Sequence, residues 1–215
     1  MENEIKLTKQ EVIEVSSKSI IMAAAQSLIP PFGSLIVNFI NLSSIKKIEI
    51  FMNEINKELI KIKDKDSLLK QQDKKYLTNI FIDTVKKVQD EFMEDKIKYF
   101  KNYFINNIKN PVNKENYNER AYYLEILNNM SIAEINLLRL LYTAEGAMNM
   151  EEIVKEFNLD KNLIRGFLEK IKVSGLIEVS TTGITFGADD ATFGKHALIR
   201  INELGMNFCN FCINK

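Results

Sequence analysis

Cys209-Asn210-Phe211-Cys212 is the one dithiol spacing in the chain, and two thiolates three residues apart could bind a metal or cycle with a disulfide. Zinc needs four ligands, yet no second pair follows and His196 is the sole histidine. A thioredoxin-like dithiol sits at a helix start after a strand. Here the pair falls near the end of the helix that closes the sequence. Both thiols are therefore expected to pack in a core, with a dimer-bridging or redox-sensing pair as the alternative. Any Ser-His-Asp or Cys-His site would have to use His196, and no nucleophile motif accompanies it. It stands beside Lys195 in a segment read below as a loop, so a surface position is expected. Asp189-Asp190 has no ladder of further oxygen ligands around it and reads as a solvated turn. Phosphate-cradling, dinucleotide-binding and zinc-protease motifs are missing. The expectation is a protein without catalytic residues, metal, cofactor or small-molecule substrate; an enzyme with an unfamiliar site is the weakest reading.

Composition narrows the partners. The chain has 215 residues, 46% hydrophobic and 27% charged, enough for one large or two small domains with real cores. Net formal charge is zero, whereas nucleic-acid binders usually carry a basic excess for phosphate neutralisation. Arginine, the better bidentate reader of phosphate and guanine, occurs only as Arg120, Arg139, Arg165 and Arg200, although three of these lie in the C-terminal part, after residue 130. Two cysteines and the charged opening MENEIKLTKQE suggest a reducing, cytoplasmic setting. The chain-wide abundance of Ile, Asn and Lys suggests AT-rich coding, as in a bacterium or its phage.

Helical periodicity dominates the first 130 residues. Thr8 to Glu11 forms a capping box for a helix that Pro30 and Pro31 must end. Ser19 to Ile45 carries no charge. Its two apolar arms would each span roughly 15–20 Å as helix, against about 30 Å for a bilayer core. A buried helical hairpin is expected. Ile29, Pro30, Pro31, Phe32, Leu35 and Ile36 would be its contacts if it met a membrane or a protein partner instead.

From about Ser34 to Lys63 the apolar stripe Leu35, Phe39, Leu42, Ile45, Ile48, Met52, Ile55, Leu59 and Ile62 steps by three and four, which suits a coiled-coil or bundle seam. A third helix is expected over 67–92, with Leu77, Phe81, Thr84, Val85, Val88 and Phe92 inward. A fourth carries Ile97, Phe100, Tyr103, Phe104 and Ile108, and Pro111 breaks the pattern. A short helix with Ala121, Tyr122, Leu124 and Leu127 follows.

The last third changes character. Ser131 to Glu134 is a second capping box, opening a helix with Ile135, Leu138 and Leu141 inward that runs to about Gly146. A short helix closes at Asn158. A third, capped by Asp160, is expected to turn Leu163, Phe167 and Ile171 inward and to stop at Gly175. Strand signals follow at 176–180, 184–186 and 197–201, with a Gly- and Asp-rich loop between the last two. Asn202 caps a final helix with Leu204, Phe208, Phe211 and Ile213. Helix, helix, helix, strand, loop, strand, helix is the winged-helix order. LEKIKVSGLIEV and INELGMNF resemble the third helix, first wing strand and closing helix of bacterial winged-helix proteins. A DNA-binding version would offer Lys161, Asn162, Arg165, Lys170 and Lys172 from the third helix, with Lys195 and His196 from the wing. Residues 131–215 hold nine Lys and Arg against eleven Asp and Glu, which favours protein contact over DNA.

LIPPFGSLIVNFI, KIKYFKNYF and YYLEILNNMSIAEINLLRLLY ahead of such a module are similar to segments of uncharacterised bacterial helical proteins of the abortive-infection alpha type. That resemblance implies a phage-defence setting and no established catalytic residue. The expected protein is mainly α. It has a helical bundle over 1–130 with its apolar hairpin at 19–45, and a winged-helix-like domain over 131–215. It is a non-enzymatic interaction or effector protein with a protein partner or a second copy of itself. A DNA-binding regulator is the alternative, and a membrane-inserting effector the weaker one.

Overall fold

A computed structural model describes residues 44–181, 193–194 and 197–214. The cap at Thr8, the hairpin residues Ile29 to Ile36, strand 184–186, Asp189, Asp190, Lys195 and His196 lie outside the described residues. The protein is mainly helical with a small three-stranded antiparallel sheet. It divides into two compact units, Met1–Asn128 and Asn129–Lys215.

In the first unit, α1 (Ile45–Leu59), α3 (Lys74–Asp90) and α4 (Glu94–Lys109) pack on one another, and the short α2 (Lys65–Lys70) lies against α4. Ile48, Phe51, Met52, Ile55 and Leu59 form the buried stripe of α1. The helix stops at Leu59, not at Lys63, because the amides of Lys61 and Ile62 turn back to the carbonyls of Glu58 and Leu59. The single helix expected over 67–92 is two. Asp73 takes an extended conformation and its carboxylate accepts from the amides of Lys75 and Tyr76, starting α3 afresh. Phe92 is no core residue: it lies beyond the end of α3 and is 91% exposed. Leu77, Phe81, Thr84, Val85 and Val88 are buried as expected, and the Phe81 ring meets that of Phe104 at 5.0 Å.

The fourth stripe, Ile97, Phe100, Tyr103, Phe104 and Ile108, is wholly buried. Two lysines are buried in the same helix. Lys96 Nζ lies 2.8 Å from Glu91 Oε2 and donates to the Asn128 carbonyl, while Lys101 Nζ lies 4.0 Å from Glu58 Oε1. Gln72 donates to the carbonyls of Asn107 and Ile108 and accepts from the Val112 amide, satisfying the open end of α4. In α5 (Tyr117–Asn129), Tyr123, Leu124, Ile126 and Leu127 are buried, and Tyr122 is exposed rather than inward.

The second unit runs α6 (Ile132–Thr143), β1 (Met148–Asn149), α7 (Met150–Phe157), α8 (Lys161–Val173), β2 (Ile177–Thr181), β3 (Ala197–Ile201) and α9 (Glu203–Phe208), which continues as a π-helical turn over Cys209–Ile213. The strand order is β1-β3-β2, with Met148 opposite Ile199 and Val179 opposite Ile199 on the other edge. Capping boxes open α6 at Ser131 with Glu134 and α7 at Asn149 with Glu152. Helix α6 ends at Thr143, three residues before Gly146. Asn158 closes α7 at φ 49° and Gly175 follows α8 at φ 73°, the left-handed conformation that lets each helix end abruptly. Ile135, Leu138 and Leu141 of α6 are buried against the rest of this unit, as are Ile164, Leu168 and Ile171 of α8.

Candidate functional site

Among the described residues of the second unit, α8 presents a face of exposed cationic and apolar side chains. A three-residue turn, Asn158 to Asp160, joins it to α7, and the Asp160 carboxylate accepts from the amides of Asn162 and Leu163. The helix buries one stripe, so its opposite side is free. Exposed there are Lys161, Asn162, Leu163, Gly166, Lys170 and Val173. Leu163 is 46% exposed and Val173 84%, and Leu159 in the turn is also exposed. A side chain at Gly166 would meet open space.

The expected inward set on α8 is thereby shifted. Leu163 faces outward and Phe167 is half-buried, while Ile164 and Leu168 take the core positions. The cause is visible in the residues. Leu163, Ile164, Phe167, Leu168 and Ile171 allow two stripes of the same spacing, and only packing against α6 and α7 selects one.

The five α8 residues expected to form a basic reading face separate into three situations. Lys161 and Asn162 are exposed at the helix start. Arg165 is half-buried, with a buried Nε that has no hydrogen-bond partner among the described residues. Lys172 is also half-buried, its Nζ 5.9 Å from the centre of the Phe193 ring. Lys170 is engaged: its Nζ donates to the Asn129 carbonyl at 2.6 Å and to Glu134 Oε2 at 2.9 Å. Beside this helix, α7 exposes Glu151, Glu152 and Glu156. The outward strip is thus mostly neutral and apolar, with acid on a neighbouring helix.

Two of these glutamates, Glu152 and Glu156, help to line a shallow groove with Ala144, Glu145, Gly146, Ala147, Met148 and Lys155. It gathers no nucleophile. Among the described residues no group of three or more His, Cys, Asp or Glu side chains is placed to hold a metal. Neither Cys209 nor Cys212 is in a disulfide, and both are fully buried. Burial pushes the Cys209 thiol up to about 12, against a smaller opposing pull from Arg139, so it is a poor nucleophile near neutral pH. No described helix is long and apolar enough to cross a membrane.

Two residues important to this face escaped the sequence reading. Val173 is the most exposed large hydrophobic side chain among the described residues of the unit, and nothing in its local pattern separates it from the core valines. Glu134 is recognisable as a capping-box acid, but its pairing with Lys170 spans 36 residues. Comparisons with protein-family models, curated proteins and solved structures returned no match.

Proposed function

We propose that the second unit is a winged-helix module that binds protein rather than DNA, in a non-enzymatic interaction or effector protein. The order of α6, β1, α7, α8, β2, β3 and α9, with sheet order β1-β3-β2, supports the winged-helix reading. The observation that carries protein contact is the outward strip of α8. In a DNA reader that strip presents cations and amides to base edges and phosphates. Here it presents Leu159, Leu163, Gly166 and Val173, and one of its two lysines is held by Glu134. The partner is a protein or a second copy of the chain. Phage defence, implied by resemblance to the abortive-infection alpha type, is the proposed setting.

The test compares wild type with the double variant Leu163→Asp, Val173→Asp. Self-association is followed by sedimentation over a concentration series, and candidate partners from infected cells by affinity capture. Both side chains are exposed, so the fold should tolerate the change. Loss of association or capture at unchanged melting temperature is expected. Association and capture equal to wild type would reject this face.

DNA binding is the second reading, favoured by Arg165, whose Nε has no partner among the described residues, and by Lys161 and Lys172 along the same flank. A low-salt gel shift with pooled genomic fragments, repeated with Arg165→Ala and Lys172→Ala, decides it: binding that these changes abolish would replace protein contact with DNA contact.

A further inference from the structure

Lys170 is one of only two exposed lysines on α8, and it points its charge at the protein instead of at a ligand. We infer that Glu134 sets the ligand preference of the α8 face by holding Lys170 in an internal ion pair, which withholds that cation from anionic ligands. This rests on the protein-contact reading above and supplies a reason for it.

Glu134 does two jobs with one oxygen. Its Oε2 accepts from the Ser131 amide at 2.6 Å, closing the capping box of α6, and from Lys170 Nζ at 2.9 Å. The cap does not require the lysine. Glu152 makes the same reciprocal cap on α7, its Oε2 accepting from the Asn149 amide at 2.8 Å, and it is exposed with no cation on it among the described residues. The difference is burial: the Glu134 side chain is only 4% exposed. A carboxylate taken out of water must be compensated by charge and hydrogen bonds, and Lys170 supplies the charge. Lys170 in turn has two of its three donors engaged, since Nζ also donates to the Asn129 carbonyl at 2.6 Å. An incoming phosphate must outbid both bonds and leave a buried acid uncompensated. An apolar partner docking on Leu163 and Val173 disturbs neither bond.

Glu134→Gln and Glu152→Gln remove the same charge, and glutamine can still close each capping box through its amide oxygen. Their binding to a short fluorescent duplex is measured by anisotropy over a salt series, with the double variant Glu134→Gln, Lys170→Met as a third arm. Release of Lys170 should give Glu134→Gln a several-fold gain in affinity over Glu152→Gln. The plot of log affinity against log salt should steepen by about one unit, the signature of one added phosphate contact. The double variant should lose the gain. Equal behaviour of the two single variants, or a gain that survives Lys170→Met, overturns the inference.

Should Glu134→Gln fail to fold, reductive methylation of the wild type decides. Peptide mapping should find Lys170 modified several-fold more slowly than Lys161 on the same helix; equal rates overturn the inference. Tight duplex binding by the wild type itself, abolished by Arg165→Ala, would instead defeat the protein-contact reading. The comparison of Glu134→Gln with Glu152→Gln would still judge the ion pair.

Discussion

Gly205 stands directly against the carbonyl oxygen of Leu176: a Cβ built on the glycine would overlap that oxygen and crowd the Ile201 side chain. The close approach lets α9 start against the turn after α8. The Asn202 amide donates to the same Leu176 carbonyl, and the Asn202 side chain donates to the Gly175 carbonyl at 2.7 Å. The obstructing atom is backbone, which cannot rotate aside.

Gly205→Ala should therefore destabilise the second unit although alanine is the better helix former. A loss of about 1–3 kcal/mol is expected from overpacking, read as a lowered urea midpoint. Gly166→Ala is the control on α8. Its Cβ would meet nothing within 4 Å, so helix propensity should raise stability by up to about 1 kcal/mol. A neutral Gly205→Ala would show that α9 does not need the contact.

The buried ion pair of the first unit makes a second prediction. The Lys96 and Glu91 side chains are 5% and 11% exposed, with Nζ 2.8 Å from Oε2. Glu91→Ala leaves the lysine with the Asn128 carbonyl but without its charge partner. Breaking such a pair from one side costs about 3–5 kcal/mol, whereas replacing both members can be nearly neutral. Glu91→Ala should lower the unfolding midpoint markedly, and Glu91→Leu with Lys96→Met should recover much of the loss. Chemical denaturation of the three proteins checks this; an additive double variant would contradict it.

The third prediction concerns pH. Burial raises the Cys209 thiol from an ordinary value of 9.0 to about 12, so the folded protein keeps a proton that the unfolded chain releases above about pH 9. The resulting stability is complete below pH 9 and is lost as pH climbs toward 12, at a rate of up to about 1.4 kcal/mol per pH unit. Lysines and tyrosines titrate in the same range, so the measurement is a difference in slope. Above about pH 9, wild type should lose stability more steeply than Cys209→Ala, whatever the offset between them. Parallel curves would deny the thiol this environment.

The sequence announced helix starts more clearly than helix faces. Ser131, Asp160 and Asn202 each cap the helix expected of them, because capping is settled within four residues. Long stripes with one available phase, such as Ile97, Phe100, Tyr103, Phe104 and Ile108, are buried as read. Errors fell where local signals tie. Phe92 continues the spacing of α3 by number, but the chain leaves the helix at Glu91 in an extended conformation, and Phe92 emerges into solvent. Tyr122 and Tyr123 are adjacent and chemically alike, and packing buries the second. At the candidate site Lys161 and Arg165 were legible as cations. The capture of Lys170 by Glu134 was not, because a contact over 36 residues leaves no local trace.

The α8 phase supplies the last prediction. Leu163 and Ile164 are neighbours of similar volume, yet Leu163 is 46% exposed and Ile164 fully buried. Ile164→Ala should cost about 2–5 kcal/mol through lost burial and a cavity, while Leu163→Ala should stay within about 0.5 kcal/mol. Binding should rank them the other way. If the outward strip of α8 is the contact surface, Leu163→Ala weakens association with a partner or second copy at unchanged stability. Ile164→Ala weakens it only in proportion to the fraction unfolded. Urea midpoints and sedimentation on the same two variants separate the effects. A Leu163→Ala protein that unfolds as readily as Ile164→Ala would return Leu163 to the core, and with it would go the apolar face that argues for protein contact.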